Sequence, residues 1–299
     1  MIWEALVDER LVDMTLAEVR SNIDRVDKEI KALFKERMEL ADMVAQVKAE
    51  TGDDIYKPDR EVAIIDNLTE DVGSDIKKEY VALIKRIMEI SRKYQYGRTL
   101  ELRDCLDISY SSDVVDVKKA ACVKQELYIC NMMSKDDIVT VDTFENVADL
   151  IENGEVQAGI GILEDVSIKA SDKLHSLLVT RGLYINRCDL ISDGDVKKKV
   201  VMFSKELTVL LEHNRMKFMF VCPNRSGALA SILSMISDYN VNLTEIHSWP
   251  DGEKDWNYEF FVECSMNFLE KEAKALIFQL MNETEKFRVL GSYYCVGDV

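Results

Sequence analysis

Between Met14 and Glu50 the chain contains neither Gly nor Pro, and its apolar residues recur at helical spacing. Leu16, Val19, Ile23, Val26, Ile30, Leu33, Leu40, Val44 and Val47 are mostly three, four or seven positions apart, the period of one helix face. Thr15 followed by Glu18 reads as a capping box that satisfies the first free N–H groups. A helix of about 35 residues is about 50 Å long. That is too long for it to bury its apolar stripe within a domain spanning only residues 14–98. The stripe therefore predicts pairing with a second copy of the same helix. Thr51-Gly52-Asp53-Asp54 ends this helix. Pro58 opens a second, at a first-turn position that costs no hydrogen bond, and that helix runs to about Asp71. Gly73-Ser74-Asp75 breaks the pattern, and a third helix runs from about Ile76 to Tyr96 and stops at Gly97.

The 299 residues are enough for two or three domains. Hydrophobic residues make up 47% and charged residues 31%, a globular balance. No apolar run approaches the roughly 20 residues that cross a bilayer, and Met1–Asp13 lacks the basic start and apolar stretch of a secretory signal. Residues 1–13 suggest no role of their own. The seven cysteines are odd in number and form no CxxC pair. They read as free thiols in a reducing cytoplasm. Three histidines, His175, His213 and His247, offer little material for a zinc site or a Ser-His-Asp triad.

Seven polar residues interrupt the helical stripes of the first third: Arg20, Arg37, Lys48, Arg60, Glu61, Ser91 and Gln95. Four are cations in a chain of formal net charge −17. Such a cluster suits a pocket for a small anion, not a nucleic-acid surface, which needs a basic stripe across a domain. Arg37 and Lys48 are 11 positions apart, within about 20° of one face, whereas Arg20 lies roughly 100° away from Arg37. Ser91 and Gln95 share a face. Taken singly, an Arg or Lys here reads as part of a solvated helix surface; it is the set as a whole that points to a pocket.

In order, "EVRSNIDRVDKEI", "KERMELADMVAQVK", "IYKPDRE" and "IMEISRKYQ" resemble the all-helical class of chorismate mutase. The resemblance covers the whole helical region and implies an intertwined dimer of three helices per chain. It also implies conversion of chorismate to prephenate by a one-step pericyclic rearrangement without nucleophile, metal or cofactor. Catalysis of that kind rests on positioning and electrostatic stabilisation. Carried over, Arg37 grips one carboxylate and Arg20, from the neighbouring chain, the other. Lys48 donates to the breaking ether oxygen and Gln95 faces it from the other side. Glu61 accepts from the ring hydroxyl, and Arg60 and Ser91 complete the polar shell. The family often has an acidic residue where this chain has Lys57, which points to a changed Michaelis constant rather than lost activity.

From about residue 105 to 207 the pattern becomes α/β, and "IVTVDTFENVADLIENGEVQAGIGILED" resembles the first lobe of prephenate dehydratase. The family's second lobe is missing, because Leu190 leads almost directly into "VKKKVVMFSKE". The family's Thr-Arg-Phe motif falls on Lys198, Lys199 and Val200, and its Pro-Ile-Glu-Asn-Ser stretch survives only as Ile162 to Val166. A dehydratase needs a positioned acid in an enclosed cleft, and a single lobe has none. The segment is therefore expected to be a degenerate remnant. From Met216 the order strand, helix, strand, strand, helix, strand fits a βαββαβ ferredoxin-like fold. It includes the loop "PNRSG" before the first helix and the loop "PDGEKDW" after the second strand. With Gly227-Ala228-Leu229 at a helix start, this part resembles the ACT regulatory domain of prephenate dehydratases, which implies an amino-acid effector, phenylalanine or another. The family's second effector motif, Glu-Ser-Arg-Pro, reads His247-Ser248-Trp249-Pro250 here. Only Ser248 and Pro250 are kept, and His247 and Trp249 serve either the effector or simple packing.

The expected architecture is thus multidomain α and α/β. It comprises a helical chorismate mutase domain at 14–98, a degenerate single α/β lobe at 105–207 and an ACT domain at 214–299. The expected site residues are the seven above for catalysis and Gly227, Ala228, Leu229 and Ser248 for the effector. The expected partners are chorismate, prephenate, an amino acid and a second copy of the chain, with no nucleic acid and no membrane. Two other readings stay open: a bifunctional enzyme that also makes phenylpyruvate, and a non-catalytic regulatory subunit.

Overall fold

The computed structural model describes residues 14–134, 137–165, 169–170, 172–194, 196–222, 226–250 and 258–295. Among the described residues no helix is long and apolar enough to cross a membrane. The chain divides into two compact units, Met1–Leu102 and Arg103–Val299.

The first unit is helical. Helix α1 (Leu16–Thr51) starts at the Thr15 capping box, where Glu18 N–H donates to Thr15 and the Glu18 carboxylate accepts from Thr15 N–H. Helix α2 (Pro58–Leu68) has Pro58 in its first turn. It ends three residues before the expected Asp71, at a Thr69 cap. Helix α3 (Lys77–Leu102) does not stop at Gly97 but continues to Leu102. One Gly weakens a helix by only about 1 kcal/mol, which the flanking Tyr94–Leu102 segment tolerates. Ala41 and Ala45 of α1 are buried, as are Met88, Ser91, Arg92 and Gln95 of α3. The stripe at the start of α1 is not: Leu16, Ile23, Ile30 and Leu33 are all more than half exposed in the single chain.

The second unit is built on a ten-stranded sheet. Strands β1 (Lys119–Val123), β2 (Asp137–Val141) and β3 (Ala158–Asp165) are parallel, with helices α4 (Leu127–Met133) and α5 (Phe144–Glu152) between them. The two-residue strand β4 (Lys169–Ala170) pairs with β3, and α6 (Asp172–Thr180) follows. Strands β5 (Tyr184–Asp193) and β6 (Val196–Ser204) form an antiparallel hairpin, and β6 also pairs with β3. The turn at Gly194 that joins β5 to β6 is tight, so no second lobe fits between Leu190 and Lys198. Next come β7 (Arg215–Cys222), α7 (Ala228–Asp238), β8 (Asn242–Pro250), β9 (Tyr258–Ser265), α8 (Lys271–Glu283) and β10 (Glu285–Tyr293). This is the βαββαβ order read from the sequence. Its strands lie in the order β10-β7-β9-β8, antiparallel throughout.

The sequence divides this unit into two parts, but the structure joins their strands, because β10 pairs with β5 in parallel at Gly291 and Ile185. The full order is β2-β1-β3-β6-β5-β10-β7-β9-β8. A Cβ at Gly291 would come within 2.4 Å of the Ile185 carbonyl oxygen, so the close approach at this seam requires glycine. One apolar core runs across it, from Val147, Leu163, Leu174 and Phe203 to Met219, Phe261 and Leu290. Strand β1 and helix α4 are not apparent from the sequence pattern. Six of the seven cysteines are buried and all seven are free thiols.

Candidate active site

In the first unit, α1, α2 and α3 enclose a pocket of about 300 Å³. Arg37 and Lys48 line it from α1, Arg60 and Glu61 from α2, and Ser91 and Gln95 from α3. Six of the seven residues expected from the sequence therefore face one cavity. Helical periodicity explains the assembly. Arg37, Ala41, Val44 and Lys48 line one side, and Met88, Ser91, Arg92 and Gln95 recur at three- and four-residue steps on the other. The seventh residue, Arg20, is exposed and does not line this pocket. Seventeen positions separate it from Arg37, about 25 Å along the helix axis.

The hydrogen bonds fix the walls and leave the centre polar. Arg37 Nη1 donates to Ser91 Oγ and to the Ile87 carbonyl, and Ser91 Oγ in turn donates to that carbonyl at 2.9 Å. Lys48 Nζ donates to the Ile55 carbonyl at 2.9 Å, so it is held beside the α1–α2 connection. Gln95 Oε1 is buried and has no hydrogen-bond partner. Lys57, at the departure from the family pattern, pairs with Asp53 at 2.5 Å. It therefore brings its own counter-charge to the pocket rim.

Electrostatics favours an anionic guest. Burial pulls the Arg37 guanidinium below its ordinary value, opposed by Glu61. Burial also lowers the Lys48 ammonium, and the like charges of Lys57 and Arg60 lower it further, against Asp53 and Asp54. Each cation is thus held under a strain that an incoming carboxylate relieves.

Sequence reasoning missed Arg92. It lines the pocket, forms an ion pair with Glu61, and places its guanidinium 4.7 Å from the centre of the Tyr56 ring. Its position one residue after Ser91 and three before Gln95 puts it on the same helix face, a signal the 3.6-residue period contained.

The second unit holds the expected effector residues. Gly227 caps the start of α7 with φ of 80°, a left-handed conformation that disfavours any side chain. Ala228 is buried, and Ser248 lies exposed on β8. Of the loops flanking this site, Pro223, Asn224, Arg225 and residues 251–257 fall outside the described residues, as does Val166 of the remnant stretch. His247 and Trp249 turn inward. Trp249 packs 4.8 Å from Phe261 and 5.1 Å from His175, between ring centres, and His247 Nε2 lies 2.8 Å from Glu245. Trp249 thus sits in ring packing, and His247 sits beside an acidic partner.

His247 joins a buried ionic network. Lys199 Nζ donates to Glu245 and Glu263 at 2.6 and 2.8 Å, and Lys217 Nζ binds Glu164 and Glu245. Burial would lower the Lys199 ammonium, but Glu245, Glu263 and Glu164 outweigh it and raise it. Burial would raise Glu245, but Lys217 and the adjacent His247 hold it well below the usual carboxylate range. The neighbouring carboxylates of Glu164 and Glu245 raise His247 to about 9. Glu164, His175 and Glu245 bring possible metal-ligand atoms within 4.8 Å of one another. Because Lys199 and Lys217 both already pair with these two carboxylates, the trio reads as part of a salt-bridge network.

Two family models match the chain: chorismate mutase type II over residues 19–96 and the ACT domain over residues 218–280. A bifunctional chorismate mutase/prephenate dehydratase of Aquifex aeolicus is 21% identical over 353 aligned positions, covering 93% of this chain and 97% of the relative. The alignment is longer than the chain, so about 75 positions of it have no counterpart here. A chorismate mutase of Methanocaldococcus jannaschii is 34% identical over 88 residues, covering 26% of this chain and 86% of the relative. Among solved structures, the prephenate dehydratase of Streptococcus mutans aligns with a TM-score of 0.52 and 17% identity, over 59% of this chain and 98% of that one. A quorum-quenching acylase, GqqA, aligns with 0.53 and 16%, over 59% and 95%. At such identities these two likenesses show the fold of the second unit and leave its chemistry open. The helical match, its ordered motifs and the pocket they line agree: the chain belongs to the chorismate mutase family.

Proposed function

We propose that the pocket between α1, α2 and α3 rearranges chorismate to prephenate in aromatic amino-acid biosynthesis. The observation that carries this reading is the convergence of Arg37, Lys48, Arg60, Glu61, Ser91 and Gln95 on one cavity. Arg37, braced by Ser91 and the Ile87 carbonyl, offers a planar fork to one substrate carboxylate. Lys48 supplies a proton donor to the ether oxygen as its bond breaks. Gln95 faces the same oxygen with its amide, and Glu61 accepts from the ring hydroxyl while Arg92 holds it in place. Arg60 adds positive charge at the mouth. The substrate is folded and its developing charge stabilised without any covalent step by the protein.

Arg20 belongs to the pocket of a second copy in this reading. The exposed stripe of Leu16, Ile23, Ile30 and Leu33 would be buried by a homodimer in which α1 crosses to the partner. Mixed dimers of Arg20→Ala and Arg37→Ala chains would then recover activity that neither parent has. The second unit supplies amino-acid sensing through Gly227, Ala228, Leu229 and Ser248. The remnant lobe serves as scaffold, since the tight β5–β6 turn leaves a dehydratase cleft only one wall.

Product analysis after incubation with chorismate tests the reading. Prephenate without phenylpyruvate is the expected result. Unchanged chorismate, with a folded protein, would overturn the mutase assignment, and phenylpyruvate would overturn the scaffold assignment.

A further inference from the structure

The second unit holds another cavity, of about 530 Å³, against β5 and β6, a size typical of small-molecule sites. Its deep residues Cys188, Met202, Thr208 and His213 are buried. Val115, Val117 and Leu210 give it half-buried apolar walls. Charge is confined to the rim, where Arg187, Asp189 and Glu212 stand. Arg187 Nε and Nη2 donate to Asp189 at 3.1 and 2.6 Å.

Two polar groups in the deep part lack protein partners. Thr208 Oγ is buried and makes no hydrogen bond, although buried hydroxyls are nearly always paired. His213 Nδ1 accepts from the Leu210 N–H at 3.3 Å and lies 3.1 Å from Ser292 Oγ. That arrangement leaves the ring proton of the neutral imidazole on Nε2, for which the described residues provide no acceptor.

We propose that this cavity binds a small zwitterion whose apolar side chain ends in a hydroxyl, such as a phenolic amino acid. The rim carries two carboxylates and one guanidinium, so a plain anion is repelled, whereas a ligand with both an ammonium and a carboxylate is matched. The ammonium meets Glu212 and Asp189, and the carboxylate meets Arg187. The apolar body lies between Val115, Val117 and Leu210. The terminal hydroxyl pairs with Thr208 Oγ and accepts from His213 Nε2–H. This site is additional to the effector residues around Gly227 proposed above and contains none of them.

Calorimetric titration of the full chain with L-tyrosine and L-phenylalanine tests the inference. Tyrosine is expected to bind at least about tenfold tighter, because a site built for a hydroxyl rejects the analogue lacking it. Thr208→Val should abolish that preference, and Arg187→Ala should weaken both ligands by about tenfold. Val115→Trp, which fills the cavity from a half-buried wall, should remove binding altogether. Chorismate turnover by each variant in the absence of amino acid is expected to be unchanged. That control separates failure of this inference from failure of the mutase reading, and an unchanged urea midpoint for each variant reports that the second unit is folded. No tyrosine binding, equal affinity for the two amino acids, or binding insensitive to all three variants would overturn it. So would tyrosine binding that is lost only on substitution at Gly227.

Discussion

Replacing Arg92 by Met removes the partner that holds Glu61 without changing the helix. Arg92 retains 9% and Glu61 24% of its side-chain exposure, so the pair is shielded but not sealed. Breaking one side of a buried, hydrogen-bonded charge pair costs roughly 2–5 kcal/mol. The solvent-open pocket places this pair at the low end, about 2 kcal/mol, or about thirtyfold in kcat/KM. Arg92→Lys keeps the charge but loses the fork and the stack on Tyr56, and is expected to recover only part of that loss. The decisive assay is a double-mutant cycle with Glu61→Gln, followed by the rate of chorismate disappearance. If Arg92 acts through Glu61, the double variant should lose less than the sum of the single losses, by about 1.5 kcal/mol. Additivity within about 0.5 kcal/mol would refute the reasoning and leave Arg92 as a buried cation that acts independently of Glu61.

Three further outcomes follow from the geometry. Lys48→Ala removes the donor to the breaking bond and should lower kcat/KM by about a hundredfold; a loss below tenfold would argue against its role. Gly291→Ala drives a Cβ to 2.4 Å from the Ile185 carbonyl oxygen and should cost about 2–3 kcal/mol, read as a lower urea midpoint, with an unchanged midpoint showing that the seam yields. His247, raised from 6.5 to about 9, adds stability that is complete below about pH 6.5 and is lost as pH rises through 9. With its side chain 30% exposed, the discounted effect is about 1–2 kcal/mol. Urea midpoints at pH 7 and pH 10 should therefore converge in His247→Gln, and an unaltered difference would exclude His247 as its source.

The helices and the pocket were legible because both obey one local period. The spacing of Arg37 and Lys48 placed them together before any coordinates, and the same arithmetic sent Arg20 elsewhere. Arg92 escaped because a cation on an exposed-looking helix has many uses, and only the fold brings Glu61 to it. The βαββαβ order was legible from alternating strand and helix patterns. The joining of β10 to β5 was not, since no local pattern records a pairing between residues about a hundred positions apart. Nor could the sequence orient His247 and Trp249. Strand alternation assigns both to one face, and only the packing of α6 against β8 and β9 makes that face an interior.

The β5–β10 seam also decides which strands of the second unit can recruit others. An unpaired strand offers a row of N–H and C=O groups to any neighbouring chain. Left apart, the halves on either side of the seam would expose β5 and β10 in this way. Joined, among the described residues, they leave β2 and β8 at the two ends of the sheet order, with the two-residue β4 beside β3. Growth of the sheet into a larger assembly would then proceed mainly along the β2 and β8 lines, and on β8 the last position, Pro250, has no N–H to give.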